Sequence, residues 1–422
     1  MRHSTENVDW TGSQKIAFRL AAVFVLLFIG SFSFPISYIP DIGKYSSGYF
    51  EIAVKWFASY VLKIDHPYTS KLISDSTGLY IHTLLLMIVS AIICGLWSVL
   101  DRRRKRYDVF QYWFMVMVRY YLALQLFYYG FNKVFKVQFY LPEPNTLFTT
   151  VGNIYPDLMF WTSMGISRPY VVFTGVLEVI AAILLLFRRT RLLGGLLATG
   201  VMANVVAINF CFDISVKLYS CFLLLMSIIS IAPDAKRIMQ FFVLNGSVTV
   251  NKNLGAPEYK SKKQYSLYVI GKIVLIVYMV GAVLSDYVIA NNFNDDQVPR
   301  PLFHGAYEVN VFVKNQDTIP PLLTDQYRWR RFFIHRRGYA IIQSMNDEMQ
   351  DYELGYDIVN NQLLIKNYED GKVQKLNYTQ PNDSVLFLIG KIEKDSLKIE
   401  LKKIPFEKLP LLQPGFHWTI DN

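Results

Sequence analysis

Over its first 290 or so residues the chain alternates long apolar runs with short polar breaks, and afterwards it changes to short segments of alternating pattern. Seven runs are candidates to cross a bilayer: Ile16 to Ile36, Leu79 to Leu100, Tyr112 to Phe131, Pro169 to Phe187, Leu192 to Phe212, Ser215 to Ile231 and Leu267 to Val288. Each approaches the roughly 20 residues that a helix needs to span the hydrocarbon layer, the sixth being short. From about Gly305 the period becomes two. Eight strands are expected: Tyr307 to Lys314, Trp329 to His335, Tyr339 to Met345, Tyr352 to Ile358, Gln362 to Tyr368, Val373 to Tyr378, Ser384 to Ile392 and Leu397 to Lys403. Asn-Asp, Asn-Asn and Asp-Gly turns separate several of them. A meander of that length removes its edges most simply by closing, so a β-barrel or β-sandwich is expected.

The basic residues give this pattern an orientation. Arg102 to Arg106, then Arg188, Arg189 and Arg191, then Lys236, Arg237, Lys252, Lys260, Lys262 and Lys263 fall at alternate breaks, with Arg2, Lys15 and Arg19 at the start. The positive-inside rule then places the N-terminus in the cytoplasm and the β domain in the periplasm of a bacterial inner membrane. The first run is too long for a cleaved signal and lacks a small-residue cleavage pattern, so it reads as a retained anchor. Four regions follow: residues 1–110 with two spans, residues 111–235 as a four-helix membrane bundle, residues 236–290 as an inner connector and last span, and residues 300–422 as an all-β domain. Between the first two spans, Phe50, Val54, Phe57, Val61 and Ile64 recur at helical spacing opposite Lys55, Ser59 and Lys63, which suits a helix lying in the interface. The segment from Lys136 to Arg168, with Pro142, Pro144 and Pro156, is expected to cap the bundle.

Composition agrees with a membrane protein: 52% of the 422 residues are hydrophobic, and mean hydropathy is positive. The net charge of +10 clusters at span ends, which a membrane explains without a nucleic-acid partner. Cys94, Cys211 and Cys221 form no C-x-x-C pair, and the six histidines show no metal-ligand or haem-ligand spacing. His82, at the outer start of the second span, is either a solvated interfacial side chain or a contact for a quinone carbonyl.

Two charges lie deep within apolar runs. Arg119 comes 11 residues after Asp108 and Glu178 comes 10 residues before Arg188, so if both basic clusters mark one face the two side chains share a depth and are expected to pair. Such a pair either fixes the fold or serves a ligand. Arg119, Leu122, Leu126, Tyr129 and Lys133 make one stripe of the third span, and Asn204 in the fifth is expected slightly deeper than the pair. Asp213 and Lys133 are expected near one another toward the outer face, with Lys217 close by.

Arg119, Gly130 and Lys133 (R-x10-G-x2-K), the G-x-x-E of Gly175 and Glu178, and the turn FRRTRLLGGLL together resemble the DoxX-like membrane family over about residues 112–233. The ending LLQPGFHW, with Phe416, His417 and Trp418, is similar to longer bacterial members. The resemblance implies a four-helix membrane bundle. Some relatives are linked to quinone-coupled sulfur oxidation or membrane redox complexes, although the family is functionally diverse. Two functions follow as expectations. In one, the chain is an accessory subunit of a quinone-linked redox system, binding a quinone-like or lipid-like molecule near Arg119, Tyr129, Lys133, Glu178, Asn204 and Asp213. In the other, it is a membrane-anchored scaffold whose β domain engages a periplasmic partner or lipid. A transporter ranks below both, because inverted repeats and broken helices are not apparent.

Overall fold

A computed structural model describes residues 9–248, 256, 257, 259, 261–413, 415, 418 and 419. The chain divides into a helical unit, residues up to 138 with 169–293, and a β unit, residues 139–168 with those from 294 onward. Phe416 and His417 of the C-terminal motif lie outside the described residues, as do Arg2, Lys252 and Lys260; Trp418 is exposed.

In the helical unit, α1 (Gly12–Ser31) starts at a Thr11 capping box, in which the Gln14 amide N–H donates to Thr11 Oγ1 and the Thr11 amide N–H to Gln14 Oε1. After it come α2 (Ile42–Tyr60), α3 (Thr77–Leu100) and α4 (Asp108–Val134). Helix α1 runs antiparallel to α3, with Arg19 meeting Ser98 at one end and Ser31 meeting His82 at the other. Helix α2 buries Val54, Phe57 and Ala58 against Leu72 and Ile81, and leaves Tyr45, Tyr49, Ile52 and Trp56 exposed.

The β unit contributes two short helices, α5 (Pro144–Leu147) and α6 (Pro156–Gly165). The helical unit resumes with α7 (Arg168–Leu186), α8 (Arg191–Cys211), α9 (Lys217–Ile231), α10 (Ala235–Phe242) and α11 (Lys262–Ile289). Asp75, from the loop before α3, accepts hydrogen bonds from the Lys217 and Leu218 amides and so caps α9 from a distant part of the chain. Phe28 of α1 stacks on Phe222 of α9 with ring centroids 4.0 Å apart, and Tyr121 of α4 meets Tyr219 of α9.

Among the described residues six helical stretches are long and apolar enough to cross a membrane: α1, α3, α7, α8, Lys217–Phe242 and α11. The third expected span, α4, is long enough at 27 residues but too polar by composition. Its place in the bundle explains this. Helix α4 buries eleven residues, Arg119, Gln125 and Lys133 among them, whereas the strongly apolar α11 buries four. A helix enclosed by others can carry polar groups that a lipid-facing helix cannot.

Strands β1 (Gly305–Lys314), β2 (Asp317–Thr318), β3 (Trp329–Ile334), β4 (Tyr339–Ser344), β5 (Met349–Asp357), β6 (Gln362–Asn367), β7 (Val373–Asn382), β8 (Val385–Ile392) and β9 (Asp395–Ile404) pair antiparallel in sequence order, with the two-residue β2 appended to β1. Pairing of β1 with β9, from Ala306↔Ile404 to Lys314↔Leu397, closes an eight-stranded barrel and leaves no long edge. A bulge between Val309 and Val311 bends β1 at this seam. Phe332, Leu363, Leu376, Leu388 and Ile399 fill the interior.

The segment from Lys136 to Arg168 is divided between the two units. From Phe139 this segment belongs to the β unit, where Leu147 and Phe148 pack on an outer patch of Ala306, Phe333, Ile341 and Phe406. The expected contiguous bundle at residues 111–235 is therefore interrupted. The cause is side-chain chemistry that hydrophobic period alone does not show: a short apolar turn in the segment finds a matching patch on the barrel.

Candidate functional site

The expected contact between Arg119 and Glu178 is absent. Glu178 pairs instead with Lys133, whose Nζ donates to both carboxylate oxygens at 2.8 Å, and both residues are buried. Two glycines bring the pair together. A Cβ on Gly130 would come within 2.9 Å of the Gly175 carbonyl oxygen, and one on Gly175 within 2.6 Å of the Gly130 carbonyl oxygen, so α4 and α7 touch backbone to backbone. One turn further, each helix carries one member of the pair. The G-x-x-K of α4 and the G-x-x-E of α7 thus form one reciprocal device: the glycines set the separation, and the charges neutralise each other there. Lys133 also lies over the Tyr129 ring, 5.8 Å from its centroid.

The same contact explains why Arg119 misses Glu178. With Gly130 opposite Gly175, antiparallel counting puts Arg119 level with Leu186, eight residues and about 12 Å along α7 from Glu178. Counting depth from the basic clusters assumed that they lie level. Instead, the start of α4 extends beyond the turn that carries Arg188 and Arg191.

Arg119 is 7% exposed, and its one hydrogen bond among the described residues runs from Nε to the Met115 carbonyl of its own helix, 3.0 Å away. It lines a cleft of about 990 Å³ at the end of the helical unit where α1 and α4 begin and α7 meets α8. Charged groups on the walls are Asp9, Arg106, Asp108, Arg188, Arg191 and Lys236. Most of them have partners. Asp9 meets Lys105 at 3.5 Å, Asp108 meets Arg106 at 2.7 Å, and Arg191 joins Arg237 on the buried Asp234. Arg188 contacts the Tyr112 hydroxyl and lies over its ring. Among the described residues no carboxylate pairs with Arg119, Arg188 or Lys236, so this end holds cations in excess. Phe18, Phe114, Met115 and Ile229 give the cleft an apolar floor.

The other expected site residues lie elsewhere. Asn204 is exposed on α8 and Asp213 is exposed at the end of that helix, where it pairs with Lys217 at 2.7 Å and not with Lys133. Helical spacing fixes the face a residue takes relative to its own neighbours, while packing decides which face turns inward. His82 is fully buried rather than solvated, with Nε2 2.8 Å from Ser31 Oγ and its ring edge-on to Phe50. In the sequence pattern Arg19 reads only as an end charge. It is 3% exposed, donates to Tyr107 and Ser98, and Tyr107 in turn donates to Asp101 at 2.7 Å. Its position several residues inside the first apolar run was the available signal.

The β unit has its own buried cluster. Glu143, at the start of α5, accepts from His304 Nε2 at 3.0 Å and from the Arg336 amide at 2.9 Å, while His335 Nε2 lies 4.0 Å away. Burial opposes the Glu143 carboxylate, but the His304 hydrogen bond, nearby His335 and the Arg336 N–H hold it below the usual carboxylate range. Burial lowers His335 to about 4, keeping the imidazole neutral, and its Nδ1 accepts from the Arg337 amide at 3.2 Å. These partners tie residues 139–168 to the barrel.

No family model matches the chain, and no solved structure matches it. Over 133 residues it is 36% identical to the uncharacterized protein YwoB of Bacillus subtilis (strain 168), an alignment covering 29% of this chain and 79% of that protein.

Proposed function

From the premise that this chain belongs to the family of YwoB, we propose that it is a DoxX-like, multi-pass protein of a bacterial inner membrane that binds a quinone-like or lipid-like amphiphile inside its helical unit. Arg119 carries this reading: it is a buried cation with no carboxylate partner among the described residues, on the wall of a cleft with an apolar floor. Glu178 drops out of the ligand site because Lys133 already satisfies both of its oxygens. Arg119 would orient a carbonyl or head group. The cleft supplies binding and orientation, and we assign the chain no reaction of its own; service beside a quinone-linked redox enzyme is the role the DoxX-like resemblance implies. Arg102 to Arg106, Arg188, Arg189 and Arg191 lie at breaks that the positive-inside rule assigns to the cytoplasm, which supports a cytoplasmic N-terminus and a periplasmic barrel.

Mass spectrometry of quinones and lipids that co-purify with the full chain and with Arg119→Gln tests the reading. An amphiphile enriched over its membrane abundance in the wild type and depleted in the variant is expected. Bulk phospholipid in membrane proportions from both proteins would sink it.

The scaffold reading draws on exposed apolar loop residues of the β unit, Leu322 and Leu323 before β3 and Ile358 and Val359 after β5. If they hold a periplasmic partner, Leu323→Ser with Val359→Ser should abolish co-isolation of a cross-linked protein. Unchanged cross-linking would remove this reading.

A further inference from the structure

We infer that the cleft at Arg119 is a phosphate site, in which the phosphate group of an anionic phospholipid sits on Arg119 and Arg188 while its glycerol and upper chains lie on the apolar floor. This deepens the amphiphile reading above and rests on it. Charge is the first argument. The two cleft aspartates are matched by Lys105 and Arg106, and Arg191 is matched by Asp234, which leaves Arg119, Arg188 and Lys236 without carboxylates among the described residues. A neutral quinone would leave that excess uncompensated, whereas a phosphate compensates it directly.

Geometry is the second argument. Arg119 is more than nine-tenths buried, spends its Nε on Met115, and has no hydrogen-bond partner for its two Nη groups among the described residues. A guanidinium edge with two free donors matches two phosphate oxygens. The Tyr112 hydroxyl and ring hold Arg188, which lines the same cleft. Phe18, Phe114 and Met115 favour a lipid source over free phosphate, which would gain nothing from an apolar floor. Basic pockets between spanning helices are general binding places for phosphorylated head groups.

The test is native mass spectrometry of the full chain, titrated in detergent with phosphatidylglycerol, phosphatidylcholine or a benzoquinone bearing an isoprenoid tail, with thermal shifts in inorganic phosphate alongside. Preferential retention of phosphatidylglycerol is expected, weakened about tenfold or more by Arg119→Gln or Arg188→Gln, since each removes charge-assisted hydrogen bonds. Lys55→Gln removes the same charge from the exposed face of α2 and should change nothing. Arg188 is exposed, so its variant keeps the test decisive should Arg119→Gln fold poorly. Equal retention of both phospholipids, or retention indifferent to both arginine variants, overturns the inference. A thermal shift with inorganic phosphate that needs Arg119, without lipid preference, also overturns it by assigning the site to a soluble phosphate. Quinone retention alone overturns it while the amphiphile reading stands, and retention of none of the three overturns both.

Discussion

Helix α4 carries two buried cations in opposite circumstances. Lys133 meets a carboxylate at 2.8 Å beside the close approach of the Gly130 and Gly175 backbones. Arg119 meets no carboxylate among the described residues and borders open volume. Both break the apolar pattern, and the pattern alone suggests that they do similar work. A charge in an apolar helix is informative once its surroundings are known: a matched charge reports on assembly, and an unmatched one marks a position that packing alone does not explain.

The largest effect should come from breaking the matched pair. Lys133→Met or Glu178→Gln alone should cost about 3–5 kcal/mol, because each leaves a buried polar or charged group without its partner, while Lys133→Met with Glu178→Leu should restore most of it. Thermal unfolding in detergent reads this, and additive losses would refute a coupled pair.

Next in size is a pH effect in the β unit. His335 is held neutral when folded, so the unfolded chain binds more protons below its ordinary pKa of 6.5. Stability is therefore complete above that pH and erodes as pH falls toward about 4, by up to about 3 kcal/mol. Glu143, held below the usual carboxylate range, adds a loss of the same sign in more acidic solution. Hydrogen exchange of the β3 and β4 amides should speed up over this window in the full chain and do so less in His335→Asn; identical pH profiles would exclude His335 as the cause.

Gly130→Ala and Gly175→Ala should each cost about 1–3 kcal/mol by forcing α4 and α7 apart, measurable as a lowered unfolding temperature. Arg119→Gln sharpens the contrast with Lys133. In lipid-free detergent it should change stability by no more than about 1 kcal/mol, and toward greater stability, since it removes an uncompensated buried charge. A loss as large as that of Lys133→Met would show that Arg119 is also structural. Asp213→Asn, on an exposed pair, should stay within about 0.5 kcal/mol by the same measurement.

Much of the architecture was legible from period and charge. Apolar runs located the helices, alternation located all eight barrel strands, and the pattern of Lys133, Gly130, Gly175 and Glu178 held the parts of the pair. Pairing itself was not legible. Depth counted from basic clusters gave Arg119 the wrong partner because it took two turns to be level, and spacing placed Asn204 and Asp213 with the site although packing turns both outward.

The sequence by itself determined which segments become helices or strands, because hydrophobic period and turn chemistry are local properties of a dozen residues. Only the tertiary structure decided that α4 is enclosed, that residues 139–168 join the barrel, and that Lys133 rather than Arg119 takes Glu178. Those outcomes depend on how far one helix slides along another before glycine backbones touch. A shift of two turns exchanges one buried partner for another without altering any local pattern.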